Sequence, residues 1–166
     1  MEGIKPKILC VDDAPENLKI LETILSKSGY DVITASDGKA ALHYIQNGNI
    51  DLVLLDVMMP EMDGYEVCRM IKTQEHTKKI PVIFITATTD TSEQAKGFEV
   101  GGADFIIKPI SSDVIGPRVK ALLAHCEELR SLEEWNSNLK KRVLENLATI
   151  RKLKVIDSQE YNTGPH

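Results

Sequence analysis

Apolar runs of strand length recur along the chain at 7–12 (KILCVD), 30–35 (YDVITA), 51–56 (DLVLLD), 81–87 (PVIFITA) and 103–109 (ADFIIKP). Between them, apolar residues fall at helical spacing over 14–28, 39–47, 64–74 and 92–100. Strands that alternate with helices of this length predict βα units and a parallel sheet covered on both faces. The nearly unbroken Val, Ile and Leu of the third and fourth runs fit strands buried on both sides. Glycines stand where helices should end or turns form, at Gly29, Gly38, Gly101 and Gly102. The predicted fold class is α/β, with a five-stranded, doubly wound parallel sheet.

The pattern changes after Asp113. No glycine or proline occurs between Pro117 and Gly164, which predicts one long helix over about 112–156, roughly 65 Å at ~1.5 Å per residue. Gly116 and Pro117 interrupt ordinary helix formers, so its regular part is expected to begin there, with Pro117 in the first turn. After Val119, an inner stripe runs through Leu122, Cys126, Leu129, Leu132, Asn136, Leu139, Val143, Ile150 and Leu153, mostly in steps of three and four. The extra three-residue step from Leu129 to Leu132 is a stammer, a point of give if the coil re-registers, and Leu147 suggests a second irregularity after Val143. A lone helix of this length has no surface of its own to cover that stripe, which predicts a parallel homodimer. Asn136 at an inner position favours a fixed register and two strands, unless it only marks a loose stretch. The final residues, ending YNTGPH, lack apolar periodicity and predict a disordered tail. The division is thus a domain at 1–125, a coiled coil at 126–156 and a tail at 157–166.

Composition narrows the functional classes. Apolar residues make up 42% and charged residues 27% of the 166, and no apolar run nears the ~18–20 residues of a membrane span. The net charge is −5, with −5 on residues 1–126, +2 on 127–154 and −2 on 155–166, so no part carries the basic footprint of a nucleic-acid binder. The N-terminal MEGIKPKILCVDD has no secretory apolar stretch, which points to the cytoplasm. Cys10, Cys68 and Cys126 are too dispersed for a disulfide framework or a zinc site, and His43, His76, His125 and His166 share no metal-ligand spacing.

In an open parallel sheet the ligand crevice lies beyond the carboxyl ends of the strands. Those ends carry Asp12 and Asp13, then Asp56, then Thr86, Ala87 and Thr88, then Lys108 and Pro109. Three adjacent carboxylates repel and resist ionising unless a cation compensates them, and oxygen ligands suit Mg2+ completed by phosphate oxygens. A carboxylate can itself accept a phosphoryl group while a lysine neutralises the new charge. Asp56 and Lys108 fit these roles.

The motifs ILCVDDAPENL, DLVLLDVMMPEMDG, VIFITAT and GADFIIKPI, in this order, resemble the response-regulator receiver domain of bacterial two-component signalling over about residues 5–125. The resemblance implies a flavodoxin-like (βα)5 fold and phosphorylation of Asp56 by a sensor histidine kinase. It implies Mg2+ bound by Asp13, Asp56 and the Met58 backbone carbonyl, with Asp12 acting through metal-bound water. Thr86 and Ala87 would meet the phosphoryl oxygens, Lys108 would pair with them, and Phe105 would turn inward as Thr86 shifts. The Lys108–Pro109 bond would be cis. A long helix after such a domain resembles linkers to nucleotide second-messenger enzymes, an output outside this chain. The rival is a haloacid-dehalogenase-like phosphatase, whose acid–base Asp would stand two places after the nucleophile, where this chain has Met58. The expectation is a phosphoacceptor switch and not an enzyme.

Overall fold

All five apolar runs form strands in the computed structural model, which describes residues 3–161. The order is β1 (Lys7–Val11), α1 (Pro15–Lys27), β2 (Asp31–Ala35), α2 (Gly38–Asn47), β3 (Leu52–Asp56), α3 (Gly64–Thr73), β4 (Val82–Thr86), α4 (Thr91–Glu99), β5 (Asp104–Ile107) and α5 (Ser112–Glu160). The strands are parallel in the order β2-β1-β3-β4-β5. This is the flavodoxin-like doubly wound sheet, whose strand order reverses between β1 and β3.

Period-two alternation divides the strand residues between two cores. Leu9, Val11, Val53, Leu55, Val82 and Phe84 face a cluster with Ala41 and Ile45 of α2 and Val67, Cys68 and Ile71 of α3. Ile8, Cys10, Leu52, Leu54, Ile83 and Ile85 face the other, with Leu21 and Leu25 of α1 and Ile115 and Val119 of α5. With both faces covered, β3 and β4 are buried at every position, as their unbroken apolar character requires.

Local signals set the helix starts. Pro15 occupies the first position of α1, where its missing N–H costs nothing. Asp37 caps α2 by accepting from the Ala40 N–H. Asp63 and Glu66 form a reciprocal capping box at α3.

The long helix starts where the expected span begins, and differs from expectation in the place of Pro117 and in its end. Its regular part begins at Ser112 and not at Gly116, with Val114 and Ile115 N–H groups donating to the Ser111 carbonyl and Pro117 inside the helix beyond its first turn. Proline there removes one hydrogen bond, that to the Asp113 carbonyl. Burial of Ile115 and Val119 on either side offsets the loss. The helix also passes 156 and runs to Glu160, so residues 157–160 of the expected tail are helical, while 162–166 lie outside the described residues. Leu122, expected on the dimer stripe, instead packs with Leu123 against the core containing Ile115 and Val119. The spacing 115–119–122 puts all three on one helix face.

The chain divides into two compact units, Met1–Ala124 and His125–His166. In the second, Leu129, Leu132, Leu139, Val143, Ile150 and Leu153 are exposed in the single chain. Among the described residues no helix is long and apolar enough to cross a membrane.

Candidate functional site

The carboxyl ends of β1 and β3 bring together Asp12, Asp13 and Asp56, one oxygen of each lying within 4.8 Å of the others. Asp12 and Asp56 are buried and Asp13 is exposed, which gives the cluster one open side. Asp12 is held from two directions, Oδ1 accepting from the Ala14 N–H at 2.8 Å and Oδ2 from the Asn17 amide at 3.0 Å. Asn17 lies in the first turn of α1 and was not singled out in the sequence. Its only signal there is an amide placed where it can fold back onto the acidic pair.

Lys108, following β5, closes the cluster from the other side. Its Nζ lies 3.0 Å from Asp56 Oδ1 and 3.5 Å from Asp12 Oδ2. Burial pushes the Asp56 pKa above the ordinary carboxylate value; the hydrogen bond from Lys108 opposes this, and the charges of Asp12 and Asp13 add to the rise. Burial works against the charge on Lys108, but its hydrogen bond with Asp56 and the charges of Asp56 and Asp12 leave its pKa raised. One ammonium thus faces more negative charge than it compensates. The Lys108–Pro109 peptide is cis.

Thr86 ends β4 and is buried. Its Oγ1 accepts from the Thr88 N–H at 3.1 Å, and its carbonyl accepts from the Lys108 N–H at 2.8 Å. Ala87 follows it, exposed at the strand end. Two residues upstream in β4, Phe84 stacks on Phe105 at 5.2 Å between centroids, and Phe98 of α4 meets Phe105 edge-on at 5.1 Å. Phe105 is therefore turned inward, only 7% exposed. Gly97 of α4 sits over it so closely that a Cβ would come within 2.2 Å of the ring.

The loop after β3 is shaped around Asp56. The Gly64 N–H donates to the Val57 carbonyl at 2.9 Å, and a Cβ on Gly64 would lie 2.3 Å from the Asp56 carbonyl oxygen. Only glycine lets α3 start this close to the strand end. Met58 is exposed, and among the described residues no backbone donor reaches its carbonyl. Three carboxylates with an excess of negative charge and a carbonyl without a backbone partner make an all-oxygen donor set, which fits a hard divalent cation. Cys10 and Cys68 are buried, and burial pushes their thiols up to about 12 and about 11.

The family model for the response regulator receiver domain matches residues 8–120. The alkaline phosphatase synthesis transcriptional regulatory protein PhoP of Bacillus subtilis is 37% identical over 150 residues, 90% of this chain and 60% of that protein. A probable cyclic di-GMP phosphodiesterase of Vibrio cholerae is 40% identical over 137 residues, 82% of this chain and 31% of that protein. The chain spans about half the length of the curated relatives it matches. Among solved structures, the Francisella response regulator 1452 receiver domain superposes with a TM-score of 0.68 at 32% identity, covering 73% of this chain and 98% of that one.

Proposed function

This chain belongs to the response regulator receiver family, and from that premise we propose that Asp56 accepts a phosphoryl group from the phosphohistidine of a sensor histidine kinase in the cytoplasm. The observation that carries this reading is Lys108 Nζ, 3.0 Å from Asp56 Oδ1 within a cluster of three carboxylates. Receiver domains bind Mg2+ at such an acidic pocket. Here Asp12, Asp13, Asp56 and the Met58 backbone carbonyl would hold it. When bound, Mg2+ supplies positive charge that stabilises the phosphoryl oxygens in transfer.

A carboxylate oxygen of Asp56 attacks phosphorus, and the bond from phosphorus to the kinase's histidine nitrogen breaks. The product is an acyl phosphate on Asp56. Asp12, oriented by Asn17 and the Ala14 N–H, keeps its carboxylate turned toward the cluster. Lys108 leaves its contact with the attacking carboxylate to pair with a phosphoryl oxygen. The Thr86 hydroxyl donates to another, assisted by the Ala87 N–H. Thr86 is joined to Lys108 through the backbone and lies two residues beyond Phe84. Movement of Thr86 therefore reaches the Phe84–Phe105–Phe98 stack and, through it, α4.

Sustained hydrolysis is not expected, because Met58 offers no acid or base to the leaving oxygen or to water. The chain thus acts as a switch. Its signal passes to α5, whose stripe beyond the first unit pairs with a second copy in a parallel coiled coil, with no part for nucleic acid. The similarity to the Vibrio cholerae phosphodiesterase suits an output in nucleotide second-messenger turnover. The test is incubation with acetyl phosphate and Mg2+. This reading expects one phosphoryl group per chain, none on Asp56→Asn, and little free phosphate. Continuous release over many turnovers would overturn it in favour of a phosphatase.

A further inference from the structure

Once Leu122 is assigned to the core of the first unit, the rest of the stripe reads as one unbroken heptad from Leu129. Steps of three and four run through 129, 132, 136, 139, 143, 146, 150 and 153. Leu129, Asn136, Val143 and Ile150 then hold the a positions and Leu132, Leu139, Asn146 and Leu153 the d positions. The stammer at 129–132 becomes the place where the heptad phase begins, and Leu147 becomes an e residue flanking the seam.

We infer that residues 129–153 form a two-stranded, parallel, in-register coil with a second copy, Asn136 pairing with Asn136 of that copy and Trp135 lying against its Lys140. The inference rests on the parallel dimeric reading above and adds its heptad phase and the contacts across the seam. β-Branched Val143 and Ile150 at a with Leu at three of four d positions is the combination that favours two parallel strands. A buried asparagine at a is satisfied by its own counterpart at the same height, and a shifted register would set it against Leu or Val. The chain's single tryptophan, Trp135, is exposed and falls at g. In a parallel pair, g faces the e residue five places on, which is Lys140, and an ammonium over an indole face is attractive.

Charge weighs the orientation. The parallel pair sets Glu128 against Glu133 of the second copy at its N-terminal edge. An antiparallel pair that matches the same layers, with Leu132 facing Ile150, sets Lys140 against Lys140 and Arg142 against Arg142 in the middle of the coil. There both repulsions fall on the same few layers, and the contact between Trp135 and Lys140 is lost.

Disulfide mapping on the full chain with Cys126→Ser decides the matter, because Cys10 and Cys68 are buried. Ile150→Cys should cross-link to itself on mild oxidation, and Lys141→Cys, on the outer face, should not. In the antiparallel arrangement neither Leu132→Cys nor Ile150→Cys links alone, while their mixture does, and that result would overturn the inference while leaving dimerisation intact. Sedimentation of the unaltered chain keeps the two apart, since a monomer at micromolar concentration removes the coil altogether. Asn136→Val should raise the melting temperature and admit species larger than a dimer; a strict dimer of unchanged stability would contradict an inner place for Asn136.

Discussion

Lys108 and Asp56 are joined at 3.0 Å across the carboxyl edge of the sheet, and the lysine reaches Asp12 as well, at 3.5 Å. One cation shared between two buried carboxylates leaves the site short of positive charge, and this shortage connects the chemistry to the stability of the fold.

The first consequence concerns Asp56 itself. Its pKa in the folded chain is raised, by burial above all. A raised folded-state pKa contributes stability that is full below the unfolded value and is lost as pH rises through the folded one. Above the ordinary Asp value the Asp56 carboxyl therefore works against folding. Asp56→Asn should melt at a higher temperature than the unaltered chain at pH 7 without divalent cations. The gap should close in acid, below the ordinary Asp pKa of about 4. Thermal melts across this range check both halves.

Mg2+ should reverse that ordering. A cation held by Asp12, Asp13 and Asp56 stabilises only the folded chain, by about 2.7 kcal/mol at a hundredfold excess over its Kd. Asp56→Asn removes a ligand and should lose most of this gain. Calorimetry with Mg2+, and with chelator, measures it.

Much of the site was legible in the sequence because charged residues at the ends of apolar runs are conspicuous, and a parallel sheet brings those ends together. Asp12, Asp56 and Lys108 are such cases. Asn17 was not, because an amide in a first helical turn is ordinary until the fold brings it against Asp12. The regular part of α5 was placed too late, at Gly116 and Pro117, because proline cannot donate a helical hydrogen bond, whereas burial of Ile115 and Val119 outweighs that one missing bond. Leu122 was misassigned for a related reason. A three-and-four spacing records that a face is covered but not whether the domain or a second helix covers it.

Gly97 and Phe105 offer a test of packing beneath α4. A methyl group at Gly97 would meet the Phe105 ring within 2.2 Å, and Gly97→Ala should cost roughly 1–3 kcal/mol. Phe105→Ala opens the space that the new methyl needs, so the double variant should lose less than the sum of the two single changes. Denaturant melts of all four chains give the coupling; simple additivity would mean that α4 does not rest on Phe105.

The buried thiols predict an alkaline limit. Cys10 and Cys68 stay protonated in the fold up to about 12 and about 11, while unfolded cysteine ionises near 8.5. Their contribution is full below that value and falls as pH rises through the folded values. Stability should decline from about pH 9 upward, and Cys10→Ala with Cys68→Ala should flatten the decline. A thiol reagent at pH 8 should modify Cys126 alone in the folded chain and all three cysteines in denaturant.

The most direct test of the central claim is to locate the phosphoryl group. After incubation with acetyl phosphate and Mg2+, borohydride reduces an acyl phosphate on aspartate to homoserine, which peptide mass spectrometry can place. Homoserine at position 56 alone, dependent on Mg2+ and reduced in Lys108→Ala, is the predicted result. Homoserine at position 12 or 13, or none under conditions that label another receiver domain, would contradict the account.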